Sequence, residues 1–154
     1  MKRVIPVLAT MIVVLTACGE RNSDAKPPGS GIELIAPFAY PAKAGEPVGV
    51  TYLNVANHGP DDDRLVSASA GVAARIETHE TIEEDGVMKM RHREDGFPLP
   101  AGRTLTMEPG AHHLMLMEIQ SDLVEGRTFQ LQLVFEKAGA RTVEVPIGLD
   151  IDRR

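Results

Sequence analysis

From Ile32 onward, apolar and polar positions alternate over short runs, and each run stops at a turn signal. A period of two puts every second side chain on one face of a strand. The pattern predicts strands over Ile32–Tyr40, Val48–Ala56, Arg64–Ala70, Val72–Glu80, Val87–His92, Thr104–Met107, His113–Ile119, Thr128–Phe135 and Arg141–Pro146. Breaks fall at Ala44-Gly45-Glu46-Pro47, Asn57-His58-Gly59-Pro60, Asp85-Gly86, Pro109-Gly110 and Ala138-Gly139. Helical periodicity is weak throughout, and no internal repeat is visible. Strands of this length and spacing predict an all-β antiparallel sandwich or barrel, not βαβ units.

The amino-terminal stretch follows a different pattern. Lys2 and Arg3 precede a mostly apolar run from Val4 to Leu15, then Leu15-Thr16-Ala17-Cys18. A basic start, a short apolar run and small residues before a cut describe a secretory signal over residues 1–17, too short for a comfortable membrane span. The last four residues also resemble the lipobox of bacterial lipoproteins. That resemblance implies cleavage before Cys18 and a lipid on its thiol, anchoring the chain to a membrane outside the cytoplasm. Residues 18–31 then form a tether rich in Gly, Pro, Ser and charge. Residues 32–148 form the β domain, and 149–154 a short tail.

Charge and cysteine count narrow the functional classes. The chain has 16 basic and 22 acidic residues. Loss of Lys2 and Arg3 with the signal leaves 14 against 22, a net charge of −8. With no basic stripe and no aromatic-basic interleaving, nucleic acid is not an expected partner. Cys18 is the single cysteine, so no intramolecular disulfide can form. The domain has no His-Glu-x-x-His, nucleophile elbow or cysteine nucleophile, and an enzyme is not expected. Asp61-Asp62-Asp63 reads as a solvated loop, and Glu83-Glu84-Asp85 as an exposed turn, because neither has calcium-loop spacing.

Histidine and methionine carry the candidate chemistry. Ten residues separate His79 from Met90, and His113-Leu114-Met115 lies further on. Asp85-Gly86 is a hairpin signal between the two strands that hold His79 and Met90. A loop centred between Glu84 and Asp85 sets His79 opposite Met90. A loop made of Asp85-Gly86 sets His79 opposite His92. Either register leaves His79, Met88, Met90 and His92 on one face, with opposed β-carbons about 4.5–5.5 Å apart. On the later strand, His113, Met115 and Met117 share a face, and His112, Leu114 and Leu116 take the other. One hairpin and one further strand can thus supply two imidazoles and two thioethers: His79, Met90, His113 and Met115.

A thioether is a soft, neutral donor that suits copper, above all Cu(I), whose filled d shell accepts tetrahedral or trigonal geometry. A blue-copper electron carrier would need a cysteine ligand, and the only cysteine is Cys18. A metal-free adhesion or interaction sandwich is the competing reading, with the methionines as core filler. Met88, Met107 and Met117 are expected in that role. His58 reads as a turn residue and His92 as a solvated strand end.

The motif is more specific than its parts. His, ten residues, Met, about twenty-one residues and His-x-Met resembles the periplasmic copper chaperone family PCu(A)C. Further blocks are similar: Tyr52-Leu53-Asn54-Val55-Ala56-Asn57, Asp63-Arg64-Leu65-Val66, Gly86-Val87-Met88-Lys89-Met90-Arg91, Leu99-Pro100-Ala101-Gly102 and His113-Leu114-Met115-Leu116-Met117. The resemblance covers about Ile32 to Ile147. It implies a cupredoxin-like Greek-key β-sandwich and a Cu(I) site of His79, Met90, His113 and Met115. It also implies periplasmic copper delivery, notably to cytochrome c oxidase or another assembly factor. Two departures stand out. Met90 and His113 are separated by 22 residues, one more than usual, and the excess is expected in the loop-like stretch Arg91–Leu99. Leu149 to Arg154 carry no His or Met, so the second, tail-borne copper site of some relatives is not expected.

Overall fold

The computed structural model describes residues 31–148. The signal, the Cys18 anchor, most of the tether and the tail lie outside the described residues. Among the described residues, ten strands run in order: β1 (Ile32–Ala39), β2 (Val48–Asn57), β3 (Asp63–Ser69), β4 (Ala73–Glu84), β5 (Val87–His92), β6 (Phe97–Leu99), β7 (Thr104–Thr106), β8 (His112–Ile119), β9 (Thr128–Phe135) and β10 (Gly139–Pro146). The larger sheet has the order β1-β2-β8-β4-β5, with β7 also pairing to β2; the smaller is β10-β9-β3-β6. All pairings between these strands are antiparallel. Consecutive strands pair as β1–β2, β4–β5 and β9–β10, while β2–β8, β8–β4 and β9–β3 join strands distant in sequence, as Greek-key connections require. The fold is the all-β antiparallel sandwich expected from the sequence.

Alternation explains the core. On β9, Phe129, Leu131, Leu133 and Phe135 are buried while Thr128, Gln130 and Gln132 are exposed. From the larger sheet, Leu53, Val55, Leu114 and Leu116 meet them, each at most 1% exposed. Fully burying such a side chain contributes about 1.5–3 kcal/mol. With Leu114 and Leu116 turned inward, strand geometry turns His113 and Met115 to the outer face of the larger sheet. The core thereby places the candidate metal residues.

Four local expectations need correction. Phe97–Leu99 is a strand, β6, not a loop: Phe97 and Leu99 are buried on either side of exposed Pro98, an alternation too short to stand out in sequence. Strand β4 runs four residues past Glu80, so Glu83 and Glu84 lie in a strand. There Glu84 takes Lys89 at 2.8 Å and also Arg91 across the hairpin. Met88 is 58% exposed and fills no core, because it sits on the solvent side of the edge strand β5. Met107 is buried, and Met117 is half-buried.

The fourth correction concerns Asp63, which is part of a stitch between strands and not of a solvated loop. Its carboxylate accepts the backbone N–H groups of Arg64 (2.7 Å), Lys137 (2.9 Å) and Ala138 (2.9 Å). Burial works against ionisation, but these donors outweigh it and hold the carboxyl below its ordinary value. A lowered folded-state value adds stability that is present above about pH 4 and lost as the pH falls through the folded value. Asp63→Ala is therefore expected to lower stability by about 1–3 kcal/mol at pH 7, with solvent access discounting the charged hydrogen bonds. Urea melts at pH 7 and pH 3 check this. The deficit should shrink in acid, and an equal deficit at both pH values would contradict it.

Candidate metal centre

The Asp85-Gly86 turn sets the register of the hairpin. Both residues have positive φ, 54° and 75°, and Glu84 pairs with Val87, as in a two-residue hairpin loop. His79 consequently faces His92, and Met90 faces Thr81. On the other side of β4, His79 faces His113 and Glu77 faces Met115. Three histidines therefore line up across β8, β4 and β5. His113 and His79 have ring centroids 5.8 Å apart, and His79 and His92 stack at 5.1 Å. Met115 lies two pairs along from this row in one direction, on the same face, and Met90 two pairs along in the other. Such diagonal neighbours have β-carbons about 7–8 Å apart, within reach of long side chains.

All four predicted residues lie on the outer face of the larger sheet. The structure brings His79 and His113 together directly and sets Met90 and Met115 diagonally beside them. His112 faces Glu80 on the opposite side of the sheet and packs edge-on to Phe97, 4.8 Å between centroids. The pairing of His113 with His79 thus excludes His112 from this row.

The imidazoles are held as metal ligands usually are. His79 donates its Nε2–H to Glu77 Oε2 at 3.0 Å, and its Nδ1 is buried without a hydrogen-bond partner. His113 donates its Nδ1–H to the Ala111 carbonyl at 3.1 Å, and its Nε2 is likewise buried and unpartnered. Each tautomer follows from its acceptor, which leaves a lone pair on the orphaned nitrogen. Buried polar atoms nearly always find partners, so two orphans on facing rings mark a candidate ligand site. Two imidazoles bonded to one ion at about 2 Å have centroids roughly 5–6 Å apart. The 5.8 Å spacing fits that geometry.

Burial is the main cause of a lowered pKa at His113, and the neighbouring His79 and His112 add to it. The ring is thereby kept neutral and able to bind a cation. Tyr52, with Phe38 stacked on it at 4.9 Å, lies 6.3 Å from the His113 ring and walls the inner end of the row. The outer end is open: His92 is exposed, and Met90 is 56% exposed.

Glu77 was not apparent from sequence, although its spacing of two from His79 puts it on the same face. Hydrogen bonds from His79 and then Arg75 hold its carboxyl below the ordinary value. Arg75 in turn joins Glu77 (2.9 Å) to Glu118 (2.6 Å). Glu77→Ala frees the His79 ring to turn and to change tautomer. Metal affinity is expected to fall about 10–100-fold, the range for such outer partners. Glu77→Gln keeps an acceptor oxygen and should recover most of the loss. Competition titration against a chelator measures both variants, and equal weakening by the two would argue against the orienting role.

Comparison with known proteins gives the context. A family model described as "Putative lipoprotein LpqE-like" matches residues 32–147. Putative lipoprotein Lxx21020 of Leifsonia xyli subsp. xyli is 29% identical over 144 residues, covering 91% of this chain and 86% of its own. Protein RP573 of Rickettsia prowazekii is 24% identical over 148 residues, covering 94% of this chain and 82% of its own. Among solved structures, the copper-bound PCuAC domain from PmoF2 superposes with a TM-score of 0.63. It has 26% identity and covers 76% of this chain and 92% of its own. The solution structure of CuI-DR1885 from Deinococcus radiodurans gives a TM-score of 0.57 at 22% identity, covering 87% of each chain, and speaks to the fold alone.

Proposed function

We propose that this chain, which belongs to the LpqE-like lipoprotein family, carries Cu(I) outside the cytoplasm and hands it to a recipient protein. The observation that carries this reading is the pair of buried, unpartnered nitrogens, His79 Nδ1 and His113 Nε2, on facing rings. The copper-bound PCuAC neighbour supports the choice of metal. His79, His113, Met90 and Met115 form the ligand set, with copper as cargo. A lipid on Cys18 and a tether over residues 18–31 hold the domain at a bacterial membrane after removal of residues 1–17. The lipoprotein family names support this placement.

The arrangement suits delivery. Two neutral thioethers need no deprotonation and expose no thiol to oxidation. Met90 lies on an exposed edge strand, so an incoming ligand can replace it first. The recipient implied by the PCu(A)C resemblance is the dinuclear copper centre of cytochrome c oxidase. No step of this function forms or breaks a covalent bond in a substrate.

Anaerobic Cu(I) titration against a chromophoric chelator tests the reading. One Cu(I) per chain is expected, with sulfur scatterers in the X-ray absorption spectrum. Absence of stoichiometric Cu(I) binding would instead indicate a metal-free interaction sandwich.

A further inference from the structure

The observed register places a third imidazole where the sequence motif alone would place a thioether. His92, not Met90, directly opposes His79. Its ring centroid is 5.1 Å from that of His79, a spacing as compatible with a shared ion as the 5.8 Å between His79 and His113. His92 ends the edge strand β5 and is exposed. Glu77 adds negative charge beside this end of the row and interacts electrostatically with His92.

Copper in its two oxidation states asks for different donors. Cu(I) favours thioethers, whereas Cu(II) favours nitrogen and oxygen donors in a tetragonal arrangement. Two imidazoles alone are a sparse set for Cu(II), and a row of three is a good one. We propose that His92 makes this centre a two-form site. His113, His79 and His92 hold Cu(II), with water completing its coordination. Met90 and Met115 take the place of His92 when the ion is Cu(I). The two forms differ in the ion supplied, and no electron passes through the protein. This deepens the copper-carrier reading and rests on its two central histidines.

Among the described residues, no three His, Cys, Asp or Glu side chains already converge on one point. The set therefore closes by rotation of His92. An exposed strand end permits this, whereas His113 and His79 are fixed by Ala111 and Glu77. Met90, two residues away on the same face, can then exchange with His92 through side-chain motion alone, without a change of strand register.

The test uses the full chain in detergent, as wild type and as His92→Gln. Cu(II) sulfate is added aerobically and Cu(I) anaerobically, each in competition with a chelator specific for that ion. Electron paramagnetic resonance on protein labelled with ¹⁵N-histidine counts the imidazoles bound to Cu(II). Three coupled imidazoles are expected in the wild type and two in His92→Gln. The variant's Cu(II) affinity should fall at least about tenfold more than its Cu(I) affinity, the lower end of what loss of even an outer partner costs. An unchanged spectrum, equal weakening toward both ions or no Cu(II) binding by the wild type would each overturn the proposal. Loss of Cu(I) binding by the wild type, with His92-dependent Cu(II) binding retained, would overturn the Cu(I)-carrier reading and leave His92 assigned.

Discussion

Replacing Met90 and Met115 together by leucine is expected to lower Cu(I) affinity about 100-fold or more, with little effect on the fold. The stability side follows from position. Met90 is 56% exposed and Met115 half-buried, so neither is a core element. Leucine nearly conserves methionine's volume, and such swaps usually cost less than about 1.5 kcal/mol even in cores. The affinity side follows from chemistry. Leucine keeps the apolar surface and removes the sulfur lone pairs, which leaves only imidazoles and no soft donor for a soft ion. Loss of an outer partner alone costs about 10–100-fold, and loss of two direct donors should exceed that. Competition against a chromophoric chelator gives the affinity, and thermal melting gives the stability. Equal Cu(I) affinity in the two proteins would remove both thioethers from the ligand set. A large fall in melting temperature would show Met115 acting as packing.

The face of each candidate ligand was legible in the sequence because strand parity is a strict rule. Leu114 and Leu116 had to turn inward, so His113 and Met115 had to turn outward, although 34 positions separate His79 from His113. Parity could not choose between the two hairpin registers. A shift of two in the pairing sum keeps every side chain on its face, so His79, Met88, Met90 and His92 stay together in both. The turn decides the register. Asp85 and Gly86 both adopt positive φ, which a two-residue hairpin loop requires and a loop centred one residue earlier does not. Turn chemistry, weighed more heavily, would have paired His79 with His92 in advance.

Other features were hidden for different reasons. Glu77 reads as an ordinary surface acid on a strand, and only its approach to His79 Nε2 reveals an orienting role. Strand β6 has three residues, fewer than a periodic pattern needs, and is held by pairing to β3. The excess residue of the His-x-Met spacing also lies between Met90 and His113. His113 stays on the face of His79 because β8 pairs directly with β4, and Arg93 and Thr78 tie the end of the hairpin to β4. Arg93 donates its backbone N–H to the Thr78 carbonyl at 2.8 Å, and Thr78 Oγ1 donates to the Arg93 carbonyl at 2.6 Å.

The same connection yields the largest expected loss of stability, from Gly96→Ala. Gly96 has φ +70°, where a residue with a β-carbon is strained by about 1–2 kcal/mol. Its backbone also lies so close to β3 that an added β-carbon would stand 1.9 Å from the Leu65 carbonyl oxygen. That oxygen belongs to the backbone of a core strand and cannot turn aside like a side chain. Either β3 or the turn must move, and Leu65 and Phe97, at 0% and 1% exposed, move with it. The combined cost is expected to be about 3 kcal/mol or more, a fall of roughly 10 °C in melting temperature. Gly86→Ala is the matched control: φ is +75°, but nothing lies within 4 Å of the added carbon. It should lose only the backbone strain. Thermal or urea melts of the two variants separate close approach from φ. Equal losses would show that the contact at Leu65 carries no weight, and that the turn between β5 and β6 is free to adjust around the histidine row.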